Sequence, residues 1–91
     1  VELARAFFNV AVAEYNAGNI EPAIAAATRS SEIEPTLADP YRLLGRAYLG
    51  ENRRPEAIEA LRRFMEIAPA GMDTTTEQQI LKALEADAAG S

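Results

Sequence analysis

Arg42 and Arg46 stand four residues apart. On a helix that spacing sends both side chains out on the same side. A guanidinium presents a planar fork of donors that matches a carboxylate, so two forks on one face could grip an acidic side chain or a chain end. The competing expectation is a solvated helix face whose arginines pair with Asp39 or a nearby glutamate. Beside this pair stands an apolar and aromatic set, Phe8, Val12 and Tyr15. It could floor a groove for a partner helix or peptide, or be covered by further chain.

Other chemistry is poorly supplied. The 91 residues contain no histidine and no cysteine. That removes the commonest general base, the commonest transition-metal ligand and all thiolate chemistry. Carboxylates are numerous, but no pair is marked out by spacing; Glu32 and Glu34 lie two apart and leave a helix on different sides. No glycine-rich phosphate loop follows a strand. The sequence points away from enzymatic work, and no cofactor or metal is expected. The net charge of −5 argues against a nucleic-acid binder, which needs a basic face. Arg53-Arg54 and Arg62-Arg63 read as surface cations, with Arg62 and Arg63 at pairing distance from Glu59. No apolar run approaches the length of a membrane span, and no membrane insertion is expected. Basic residues other than Lys82 are arginine, which fits a GC-rich bacterial genome.

The elements that must carry these side chains are helices. Leu3, Phe7, Val10, Ala11 and Glu14 follow helical spacing over about residues 2–16, with Ala4, Phe8 and Tyr15 on neighbouring stripes, and predict a first helix. Ala17-Gly18-Asn19 ends it. A second helix spans about 21–33 with Pro22 in its first turn and Glu34-Pro35 as its stop. Asp39 as N-cap and Pro40 start a third; Gly50-Glu51-Asn52 is its turn. Pro55 opens a fourth, closed by Ala68-Pro69-Ala70-Gly71. A fifth begins near Asp73 or Thr74, with Thr74 and Glu77, or Thr75 and Gln78, as a capping box. Its tail, Ala89-Gly90-Ser91, is expected to fray. No segment alternates as a strand does.

The chain also echoes itself. Ala23-Ile24 returns as Ala57-Ile58, Glu32-Ile33 as Glu66-Ile67, Pro35 as Pro69, Ala13 as Ala47, Ala26 as Ala60 and Arg29 as Arg63. Each pair is separated by 34 residues, the period of a stacked helix-turn-helix unit. In the second unit Tyr41, Leu44-Gly45, Tyr48, Ala57, Leu61 and Pro69 resemble the pattern of the tetratricopeptide repeat. Gly45 and Ala57 would let two helices approach closely while the larger side chains fill the space around them. The first unit, with Phe7, Val10-Ala11, Ala23, Ala27 and Pro35, matches more loosely.

The resemblance implies an all-α, right-handed superhelix in one domain: five antiparallel helices forming repeats over about 4–37 and 38–71 and a capping helix over about 73–88. It implies a protein-interaction module in a larger scaffold that holds a partner peptide or helix on its concave face. That face would include Arg5, Phe8, Val12, Tyr15, Asn16, Arg42, Arg46 and Leu49. The paired arginines suggest an acidic partner. The lysine- and asparagine-based clamp that one branch of the family uses for chaperone tails is absent, since Phe8 and Val12 take its first two places. The alternative is self-association as a homo-oligomer, because open repeat ends present apolar surface.

Overall fold

A computed structural model describes residues 2–90, and the side chains of residues 2–88. It contains five helices and, among the described residues, no strand: α1 (Glu2–Asn16), α2 (Ile20–Ile33), α3 (Asp39–Gly50), α4 (Arg54–Ile67) and α5 (Thr75–Gly90). Asp39 lies inside α3 and Ala38 precedes the helix without a side-chain cap. The helix thus starts one residue earlier than an N-cap at Asp39 would place it. Helical backbone continues through Ala89 and Gly90; Ser91 lies outside the described residues.

The turns repeat in chemical detail. After α1 the Gly18 N–H donates to the Tyr15 carbonyl at 3.0 Å and the Asn19 N–H to that of Glu14 at 2.8 Å. After α3 the Asn52 and Arg53 N–H groups donate in the same way to Leu49 and Tyr48. These are paired reverse bonds that satisfy the last carbonyls of a helix and need a left-handed residue. Gly18 has φ +86° and Asn52, 34 positions on, φ 59°. The ends of α2 and α4 also agree: the Glu34 N–H donates to Ser30 and the Ala68 N–H to Phe64, with a proline next in each case.

Each helix packs on the next, α1 on α2, α2 on α3, α3 on α4 and α4 on α5. The interfaces are lined by small side chains. One apolar cluster joins Ala11, Ala23, Ile24, Ala27, Leu44 and Ala47; a second joins Ala57, Leu61 and Leu84. The units exchange volume at one equivalent pair. Unit one has Ala11 and Ala27, both fully buried. Unit two has Gly45 and Leu61, and a methyl group added to Gly45 would sit 2.6 Å from Leu61 Cδ2. Glycine is required there because leucine has taken the room. Ser30 and Phe64 make a second exchange: the buried Ser30 hydroxyl donates to the Ala4 carbonyl at 2.7 Å, whereas Phe64 fills its place with a ring.

Of the stripes that share helical spacing on α1, the one with the small residues is buried. Ala4 and Ala11 are its buried residues, and Phe8, Val12 and Tyr15 pack partly against the core. Leu3 and Val10 are exposed, and with Ala6 and Phe7 they line a shallow outward hollow. Both stripes have helical periodicity. The alanine stripe wins because α2 approaches too closely for leucine or valine between the helices.

Candidate binding cleft between α1 and α3

Phe8, Tyr15 and Asn16 of α1 face Asp39, Arg42, Leu43 and Arg46 of α3 across a cleft of about 230 Å³. Five residues expected on the binding face thus come together: Phe8, Tyr15, Asn16, Arg42 and Arg46. Val12 is partly buried against the core beneath them. Arg5 is exposed and does not line the cleft. Leu49 lies elsewhere, packed with Ile58, Ile80 and Leu81 around Leu61 and Leu84.

The two arginines share a carboxylate from their own chain. Glu77, in the first turn of α5, is only 2% exposed. Its Oε2 accepts from Arg46 at 2.8 Å and lies 3.6 Å from the Arg42 Nε. The carboxylate partner is thus neither Asp39 nor another glutamate nearby in sequence but the side chain of a distant helix. Glu77 also does not serve in a capping box. The N-terminal turn of α5 is held otherwise: the Asp73 carboxylate accepts from the Thr75 N–H at 3.1 Å, and the Gln78 amide donates to the Thr74 hydroxyl. The hydrogen bonds from Thr75 hold the Asp73 carboxyl below the usual carboxylate range, with Arg42 adding a smaller charge effect.

Arg42 and Arg46 have different surroundings. Arg42 lies over the Phe64 ring at 4.7 Å and donates to the Asp73 carbonyl at 3.3 Å. Its side chain is 29% exposed, and it ties α3, α4 and the approach to α5 together. Arg46 is 49% exposed, and one of its terminal nitrogens holds Glu77. A guanidinium has five N–H donors, so the outer edge of Arg46 keeps donors directed to solvent beside the cleft. Together with Asp39 and Glu77 the two arginines make a locally balanced set of charges.

Five other arginines are engaged at the surface, among them Arg29 with Glu32 at 3.5 Å. Arg53 pairs with Glu56 and Glu21, Arg62 with Glu85 at 2.6 Å, Arg54 with Asp87, and Arg63 with Glu66 at 3.0 Å. Arg62 and Arg63 thus turn to Glu85 and Glu66 rather than to Glu59. A larger groove of about 420 Å³ runs over Thr28, Tyr41, Leu44, Tyr48 and Ala60. Its tyrosines already carry the chain's own cations, Arg53 at 4.8 Å from the Tyr48 ring and Arg63 at 5.9 Å from that of Tyr41. Tyr41 and Glu66 hold the Arg63 guanidinium above its ordinary pKa. The smaller cleft is therefore the better candidate.

Sequence reasoning missed Glu77 because its spacing from Thr74 fits a capping box, a local role that needs no partner. The signal available was a glutamate on the apolar side of α5, next to Ile80, Leu81 and Leu84 in a helical projection. Among the described residues, no helix is long and apolar enough to cross a membrane. No protein-family model matches the chain, and no curated protein shows significant similarity to it.

Proposed function

We propose that this chain is a protein-interaction module of tetratricopeptide type within a larger scaffold, and that the α1/α3 cleft anchors a partner peptide through a single carboxylate. The observation that carries this is the half-exposed Arg46 edge at the rim of a cleft walled by Phe8, Tyr15 and Asn16. Glu77 fixes one side of that guanidinium and leaves the other to a guest. At about 230 Å³ the cleft suits one side chain or a chain terminus rather than a whole peptide. Locally balanced charge and a net charge of −5 disfavour a polyanion. The guest that fits is a carboxylate flanked by apolar or aromatic groups.

Fluorescence-polarisation binding with a peptide library tests this, each peptide carrying one Asp, Glu or free C-terminus and compared with its amide counterpart. A charge-assisted hydrogen bond is worth about 1.5–3 kcal/mol. Arg46→Ala should therefore weaken carboxylate peptides roughly tenfold or more while leaving amide peptides alone. Equal binding of acids and amides, or unchanged binding to Arg46→Ala, would refute the assignment. Self-association would use a different surface, the outward face of α1.

A further inference from the structure

The 34-residue register predicts equal burial at equivalent positions, and one face of α1 breaks it. Leu3, Ala6, Phe7, Val10 and Ala13 correspond to Leu37, Pro40, Tyr41, Leu44 and Ala47. Pro40, Leu44 and Ala47 are buried, and Leu44 and Ala47 share a cluster with Ala23, Ile24 and Ala27 of α2. In α1 the same face is open. Leu3 is 57% and Val10 51% exposed, Ala6 and Ala13 are exposed, and Leu3, Ala6, Phe7 and Val10 line an apolar hollow of about 130 Å³. So α1 presents outward the face that α3 turns toward α2.

The complementary face exists too, and it is covered. Ile24, Ala27 and Thr28 of α2 correspond to Ile58, Leu61 and Arg62 of α4. Over these lies α5: Leu84 is buried with Leu61, Ile80 and Leu81 pack against the same cluster, and Glu85 accepts from Arg62. Its opposite side is mostly polar, with Gln78, Gln79 and Lys82 exposed. A second copy gains little by docking on it. Beside this apolar contact α5 is held by ion pairs, Glu77 with Arg46, Glu85 with Arg62 and Asp87 with Arg54. Two of these three pairs are exposed and open to screening by salt.

We propose that α5 is a stopper: it covers the α4 face that would otherwise receive α1 of a second copy, and its release lets copies stack head to tail through a junction built like the α2–α3 interface. The interface α2–α3 is the covalent prototype, and the register supplies both halves of its intermolecular version. While α5 is tethered beside its site, its high effective concentration excludes the second copy. Once it is released, the contact is heterologous and does not close on itself, so it yields a ladder of species rather than a dimer.

The test uses the full chain. Glu77→Lys with Leu84→Asp should release α5, read as lost hydrogen-exchange protection in α5 alone. Sedimentation velocity should then show a concentration-dependent ladder, where the unaltered chain gives one species. Adding Val10→Asp should collapse the ladder. A released variant that stays a single species overturns the proposal, as does a ladder that survives Val10→Asp or an assembly that stops at two. Should the released variant lose helix beyond α5, cross-linking decides. The chain has no cysteine, so Val10→Cys and Arg62→Cys can be placed in separate, otherwise unaltered chains and mixed. Val10 and Arg62 are the equivalents of Leu44 and Thr28, which line one groove. Disulfide-linked heterodimer should rise several-fold as salt weakens the α5 pairs; a yield that does not change with salt overturns the proposal.

Discussion

Gly45→Ala should destabilise the protein, and Leu61→Ala should reverse the sign of that effect. The new methyl carbon would lie 2.6 Å from Leu61 Cδ2 and 2.8 Å from its Cγ. Carbon atoms pack best at about 3.5–4.0 Å, so the overlap approaches ~1 Å. Leu61 is 1% exposed, and moving Cγ means moving the whole side chain within a filled space. Overpacking of this kind costs about 1–3 kcal/mol. Alanine in a helix interior gains back about 1 kcal/mol over glycine, leaving a net loss of up to about 2 kcal/mol. Leu61→Ala alone opens a cavity and costs about 2–5 kcal/mol. In that background the methyl group has room, and Gly45→Ala should stabilise by up to about 1 kcal/mol. The double variant restores the Ala11 and Ala27 arrangement of unit one. Urea denaturation followed by circular dichroism measures all four corners of the cycle; each kcal/mol should also move the Tm of a chain this size by about 4–8 °C. Equal effects of Gly45→Ala in the two backgrounds would refute the steric reading of the Gly45–Leu61 contact.

Arg42→Ala should cost about 1–3 kcal/mol of stability, because it removes the Phe64 stack and the Asp73 contact; Arg46→Ala should also cost about 1–3 kcal/mol on the same denaturation curves, because it takes the 2.8 Å donor from the buried Glu77 carboxylate. Glu77→Gln should increase hydrogen exchange in α5 before α1–α4 respond, and uniform loss of protection would contradict the assigned latch. The Asp73 carboxyl has a folded pKa below its unfolded one, so it contributes stability above its ordinary range that is lost as pH falls through the lower folded value. Asp73→Asn should accordingly melt below the parent at pH 6, with the gap closing on acidification from about pH 4 downward. Asn52→Gly should match or slightly exceed the parent in stability while Asn52→Ala loses about 1 kcal/mol, since only glycine takes a left-handed position without strain.

The helices and their repeat were legible because periodicity survives any one substitution. Gly18 and Asn52 mark equivalent turns, Pro35 and Pro69 equivalent stops, and the close approach at Gly45 follows from glycine three positions ahead of Tyr48. Which stripe of α1 faces inward was not legible. Leu3, Phe7 and Val10 are the larger apolar set, and hydrophobicity alone favours burying them; only the interhelix spacing, set by alanines on α2, selects Ala4 and Ala11. The expectation that Phe8, Tyr15, Asn16, Arg42 and Arg46 share one face came from the resemblance to the tetratricopeptide repeat. The internal carboxylate was not legible, because Glu77 belongs to α5, outside the two 34-residue units.

The alanine-lined core has a thermodynamic consequence. Ala11, Ala23, Ala27, Ala47 and Ala57 are all buried, and each brings almost no rotamer entropy to be lost on folding. Each also hides little apolar area from water, and that area governs the heat-capacity change on unfolding. Globular proteins average about 12–15 cal/mol/K per residue; this chain should fall at or below the lower end. Its stability curve should then be a shallow dome, changing slowly with temperature on both sides of its maximum.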